Sequence, residues 1–125
     1  MNNPLVVCAL EDEFSVKGLN YDLLYTGVGK INAAIYLTEY ILTKGRPDYI
    51  INYGTAGSKK VKVGSLVDCT KFIQRDMDVT GLGFQRGETP FESELPVVLE
   101  TQSPINPIGK NATCGTGDCF VEDKS

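Results

Sequence analysis

The 125-residue sequence contains no histidine. That excludes a Ser-His-Asp triad, a Cys-His dyad and any His-ligated zinc site within the chain. Cysteine is sparse, at Cys8, Cys69, Cys114 and Cys119, and no two form a C-x-x-C pair. Cys8 and Cys69 lie in apolar runs, where a buried thiol acts as a small hydrophobe. All four are expected to be structural thiols in a reducing cytoplasm. No apolar run approaches the ~20 residues of a membrane span; the longest covers residues 5–10. Met1-Asn2-Asn3-Pro4 lacks the basic start and long apolar stretch of a secretory signal. Positive charge is also short: 12 Lys and Arg stand against 16 Asp and Glu, for a net charge of -4. Neither a nucleic-acid partner nor a membrane partner is expected. Asn111-Ala112-Thr113 matches a glycosylation sequon and, without a secretion signal, reads as chance.

Hydrophobic residues make up 42% and charged residues 22%, which is ordinary for a soluble globular protein. The length fits a single domain over 1–125. Such a chain buries roughly two thirds of its unfolded surface, so its core needs no disulfides. A small-molecule site remains the open functional class.

Residues 5–10, Leu-Val-Val-Cys-Ala-Leu, form a continuous apolar run with β-branched members. It predicts a strand buried on both faces, as in a parallel sheet. Gly18-Leu19-Asn20 reads as a turn and residues 21–26 as a second strand. A helix is predicted over 30–43, with Ile31, Ala34, Ile35, Tyr36, Ile41 and Leu42 in a broad apolar stripe. Lys44-Gly45-Arg46-Pro47 stops it. Residues 48–53 predict another buried strand, and residues 65–71 and 72–76 look strand-like. From 80 to 111 glycine and proline punctuate the chain, with one apolar patch at 95–99 and a further short strand at 112–114. The order strand–helix–strand predicts an α/β fold with a mainly parallel central sheet.

In an open α/β sheet, ligands bind beyond the carboxyl ends of the strands. Three clusters stand there: Glu11-Asp12-Glu13, Gly54-Thr55-Ala56-Gly57 and Gly117-Asp118-Cys119-Phe120. Acids at such a place suit general-base work, or simply a solvated turn or helix start. The small residues at 54–57 let a ligand approach backbone N–H groups, or make a tight turn. Gly27-Val28-Gly29-Lys30-Ile31-Asn32 imitates two nucleotide motifs and satisfies neither. The dinucleotide fingerprint wants Gly or Ala where Asn32 stands. The P-loop wants four residues between its glycines and a hydroxyl residue where Ile31 stands.

Taken in order, these segments resemble the 5′-methylthioadenosine/S-adenosylhomocysteine nucleosidases of the purine nucleoside phosphorylase superfamily. The matching stretches are residues 9–13, 26–34, 47–57, 63–67, 76–80 and 117–121. The resemblance implies hydrolysis of the N-glycosidic bond between adenine and a 5′-thio-substituted ribose, as in methionine salvage. It implies no cofactor, a cytoplasmic homodimer, and a three-layer fold whose mixed central sheet is largely parallel. Glu13 matches the acid that orients and deprotonates the attacking water. Thr55, Ala56 and Gly57 match the turn lining the ribose and water site. Phe120 and Val121 match the pair that stacks on adenine and hydrogen-bonds its edge. Val79 matches a residue of the 5′ pocket, and Leu82 an aromatic that crosses the dimer interface.

The family places two further acids after the adenine segment: a glutamate that clamps the ribose and an aspartate that protonates the purine. Neither motif is matched through Glu122-Asp123-Lys124-Ser125. The sequence is therefore expected to be the N-terminal portion of a longer protein, its fold incomplete at the C-terminus. A sheet ending near Phe120 would leave an open edge. Two other readings stay open. A nucleoside phosphorylase would need cationic phosphate ligands, yet Asn52 stands where that branch has arginine and Glu11-Asp12-Glu13 is anionic. An inactive purine-binding or interaction module is the other.

Overall fold

The computed structural model describes residues 4–15, 20–101 and 105–122. They fall into two compact units, residues 1–58 and 59–125. The expected turn at 18–20 lies largely outside the described residues.

In the first unit, β1 (Leu5–Cys8), β2 (Asp22–Tyr25) and β3 (Ile50–Asn52) form a parallel sheet in the order β2-β1-β3. Register runs Leu5 to Asp22 on one side and Leu5 to Ile50 on the other. β1 is the centre, and all four of its residues are buried. A strand covered on both faces has no polar side to present, which is why its sequence is apolar without alternation. Helix α1 (Lys30–Lys44) connects β2 to β3. Gly45 closes it with φ 89°, its N–H bonded to Ile41 O at 3.0 Å. The Tyr40 hydroxyl donates to the Asp22 carboxylate, tying α1 to β2 and pushing the Tyr40 phenol up to about 12.

The glycines before α1 have a structural role. Gly27 takes φ 76°, and a Cβ there would stand 3.3 Å from Asn32 Nδ2. That amide donates to Val28 O at 2.8 Å. Asn32 therefore closes the turn from within, at the position where a dinucleotide fingerprint has Gly or Ala.

One expectation changes in this unit. β3 was expected to be buried; Ile50 is 47% exposed and Ile51 51%. Among the described residues it pairs with β1. The apolar stripe of α1 buries no residue.

In the second unit, β4 (Asp68–Gln74) lies between β5 (Leu99–Glu100) and β6 (Asn111–Thr116). It pairs antiparallel with β5 and parallel with β6. The two runs read as 65–71 and 72–76 are thus one strand. A register irregularity between Cys69 and Lys71 breaks its alternation. β6 extends beyond the expected 112–114 because pairing continues through Gly115 and Thr116. A short 3₁₀ turn, Thr80–Leu82, punctuates the long connection. Gly87 anchors the same connection at φ 87°, with its N–H bonded to Met77 O at 2.7 Å. A Cβ there would meet both Ile73 Cγ2 and Val97 Cγ1 at 3.2 Å.

Candidate functional site

In the first unit the site is built where β1 and β3 end side by side. β1 runs into a 3₁₀ turn, Glu11–Glu13. The Glu13 N–H bonds Leu10 O at 3.0 Å, and its side chain folds back so that Oε1 accepts from Leu10 N at 3.1 Å. The other oxygen, Oε2, accepts from Thr55 N at 3.0 Å and from Thr55 Oγ1 at 3.1 Å. One carboxylate thus receives three donors from two strand ends. Gly54 leaves room for it, since a Cβ there would stand 3.3 Å from Oε2.

Aromatic packing holds this turn. The Phe14 ring lies 5.2 Å from that of Tyr53 and 5.9 Å from that of Tyr21, both tilted. Such pairs contribute about 0.5–1.5 kcal/mol each. Tyr25 Oη donates to Phe14 O at 2.6 Å. The residues flanking Glu13 and Thr55 are therefore fixed to one another. Cys8 lies buried beneath; burial first, then the Glu13 charge, pushes its thiol up and keeps it protonated.

Of the predicted site residues in this unit, Glu13 and Thr55 meet directly. Ala56 and Gly57 follow in exposed chain outside any strand or helix, and a Cβ on Gly57 would meet nothing within 4 Å. Asp12 is exposed.

In the second unit, Val79 begins the turn Thr80–Leu82. Asp78 Oδ1 accepts from Thr80 Oγ1 at 2.6 Å and Thr80 N at 3.1 Å, which places Val79 inside a closed loop. The Thr80 hydroxyl and then its N–H hold the Asp78 carboxyl below its usual range. Phe120 and Val121 follow β6, with the Phe120 ring 91% exposed.

Sequence reasoning gave no role to two neighbours of that segment. The Arg75 guanidinium donates to Cys119 O, and Asp76 Oδ2 accepts from Asp118 N at 2.9 Å. The signal was the parallel pairing of β4 and β6, invisible until both strands are placed. Among the described residues, no group of three Cys, Asp or Glu is arranged to hold a metal ion. No described helix is long and apolar enough to cross a membrane.

Residues 13–110 match the family model of the phosphorylase superfamily. The chain belongs to that superfamily. A Helicobacter pylori MTAN mutant with 5′-methylthioadenosine in its active site is similar over 99% of this chain and 68% of its own. That likeness has a TM-score of 0.81 at 20% identity. The 5′-methylthioadenosine/S-adenosylhomocysteine nucleosidase from Neisseria meningitidis, in complex with methylthio-immucillin-A, gives 0.74 at 25% identity. Among curated relatives, the 5′-methylthioadenosine/S-adenosylhomocysteine nucleosidase of Geobacillus sp. (strain WCH70) is 40% identical over 89% of this chain and 53% of its own. That of Marinomonas sp. (strain MWYL1) is 32% identical over 86% and 51%. The chain spans about half the length of the curated superfamily relatives it matches.

Proposed function

We propose that the protein hydrolyses the N-glycosidic bond of nucleosides of the 5′-methylthioadenosine and S-adenosylhomocysteine type and releases adenine. Residues 1–125 contribute part of the site within a single domain. The observation that supports this most is the Glu13 carboxylate held by Leu10 and Thr55 at the paired ends of β1 and β3. A carboxylate offers about four lone-pair sites. Three are occupied by donors, which leaves one to accept from a water. A water so held is aimed by a fixed anion and loses its proton to it as the sugar becomes cationic.

In this reading Glu13 is the base. Thr55 orients it and, with Ala56 and Gly57, lines the ribose side. Val79 lines the 5′ pocket, Phe120 stacks on adenine, and the Val121 backbone reads its edge. The ribose-clamping glutamate and the leaving-group aspartate of the family are assigned to no residue of this chain. Four free cysteines suit a reducing, cytoplasmic setting, and the resemblance places the reaction in methionine salvage.

We also propose a homodimer. Leu82 matches the family's interface residue and is 76% exposed within residues 1–125. Sedimentation of the full-length protein at micromolar concentration should give twice the chain mass. A monomer under those conditions would rule the dimer out.

The reaction is tested with methylthioadenosine and the full-length protein in phosphate-free buffer. Adenine and free methylthioribose are expected. A phosphorylase needs several cationic or N–H donors for a dianion, and here Asn52 ends β3 beside an acidic turn. Formation of methylthioribose 1-phosphate, or turnover only after phosphate is added, would overturn the hydrolase assignment.

A further inference from the structure

We propose that Arg75 and Asp76 are positioning residues that fix the adenine-reading segment 117–121 through its backbone. The proposal rests on the nucleosidase reading and deepens it.

β4 and β6 run parallel and end together, Gln74 opposite Thr116. The ladder continues one step further, with Arg75 N bonded to Thr116 O at 2.9 Å. Residues 75–76 and 117–119 therefore leave adjacent strand ends side by side. Two bonds of opposite polarity join them. The Asp76 carboxylate takes the Asp118 N–H at 2.9 Å. The Arg75 guanidinium donates to the Cys119 carbonyl. That carbonyl belongs to the peptide unit whose N–H is Phe120's own. Fixing the plane of this peptide sets the direction in which Phe120 leaves the chain.

Glycine makes the approach possible. A Cβ at 115 would stand 3.4 Å from Arg75 Cβ and Cδ. One at 117 would stand 3.0 Å from Arg75 Cζ and from Asp76 Cγ. The Arg75 stem thus lies along Gly115 and Gly117, which are open because they lack side chains. Orientation of Phe120 comes from the backbone, and the backbone is held from β4. Bonds to charged groups are the stronger kind, and here there are two.

The test is steady-state kinetics of full-length Arg75→Met, which keeps the stem and removes the donors. KM for methylthioadenosine should rise about tenfold, the worth of one charge-assisted hydrogen bond, with kcat within about twofold. Inhibition by adenine should weaken by the same factor. Asp76→Asn should raise KM in the same direction, and Arg75→Lys should recover part of the loss. A merely structural role would lower thermal stability and the active fraction, reducing kcat at constant KM. If Arg75→Met does not fold, Arg75→Lys and Asp76→Asn carry the same measurement. Unchanged KM in the folded variants, beside normal wild-type kinetics, would overturn this assignment alone. A wild-type protein that neither releases nor binds adenine would overturn the nucleosidase reading and this proposal with it.

Discussion

Glu13→Gln in the full-length protein should lose at least ~100-fold in rate, the lower end of what a general base contributes. Gln keeps the length and the planar end group but can neither take a proton nor offer acceptors on both sides. In the native site, Oε1 faces the Leu10 N–H and Oε2 faces two Thr55 donors. An amide turns its oxygen to the Thr55 pair and sets its NH₂ against the Leu10 N–H. One hydrogen bond is lost at a turn that water can reach, so the fold should survive. Circular dichroism of the variant should match the parent while turnover collapses. Asp12→Asn is the control, since Asp12 sits in the same turn but is exposed. Comparable losses at both positions would mean that Glu13 is not the base.

The sequence carried β1 to within two residues, because four consecutive apolar residues at a parallel sheet's centre leave no ambiguity of face. It carried α1 to within one residue, since Gly45 stops it both in composition and in geometry. What it could not carry was cover. Residues 50–51 are as apolar as residues 6–7, yet among the described residues β3 is paired on one side and β1 on both. That difference depends on how many strands pair, which no local pattern encodes. The runs 65–71 and 72–76 join into one strand, β4, whose continuity shows only in its pairing with β6.

The site shows the same division. Glu13 was legible as an acid just past a buried strand. Its meeting with Thr55 joins residues 42 apart and depends on β1 and β3 being neighbours with Val7 opposite Asn52. The resemblance to known nucleosidases marked both residues, and the sheet register supplies the contact. Arg75 and Asp76 went unmarked for a similar reason. Their partners lie 44 and 42 residues away, across the β4–β6 pairing.

Phe120→Ala should weaken binding of an adenine analogue by ~1–3 kcal/mol, the usual range for a base stacked on an aromatic ring. At about 1.4 kcal/mol per tenfold, that is a rise in Kd of roughly 5- to 150-fold. The competing reading of Phe120 as a core residue predicts a different loss: a buried phenylalanine truncated to alanine costs ~3–5 kcal/mol of stability. Within residues 1–125 the ring stands beyond the end of β6 and is 91% exposed, so its removal opens almost no cavity among these residues. Thermal unfolding should therefore shift by no more than a typical surface substitution, within about 0.5 kcal/mol. Affinity and stability separate the two roles in one variant. Calorimetric titration of the folded Phe120→Ala protein, beside Val121→Ala, completes the comparison. The Val121 side chain should matter little, because its assigned contact to adenine is through the backbone. An unchanged Kd in Phe120→Ala would remove this ring from the adenine site. A large fall in unfolding temperature would return it to the core.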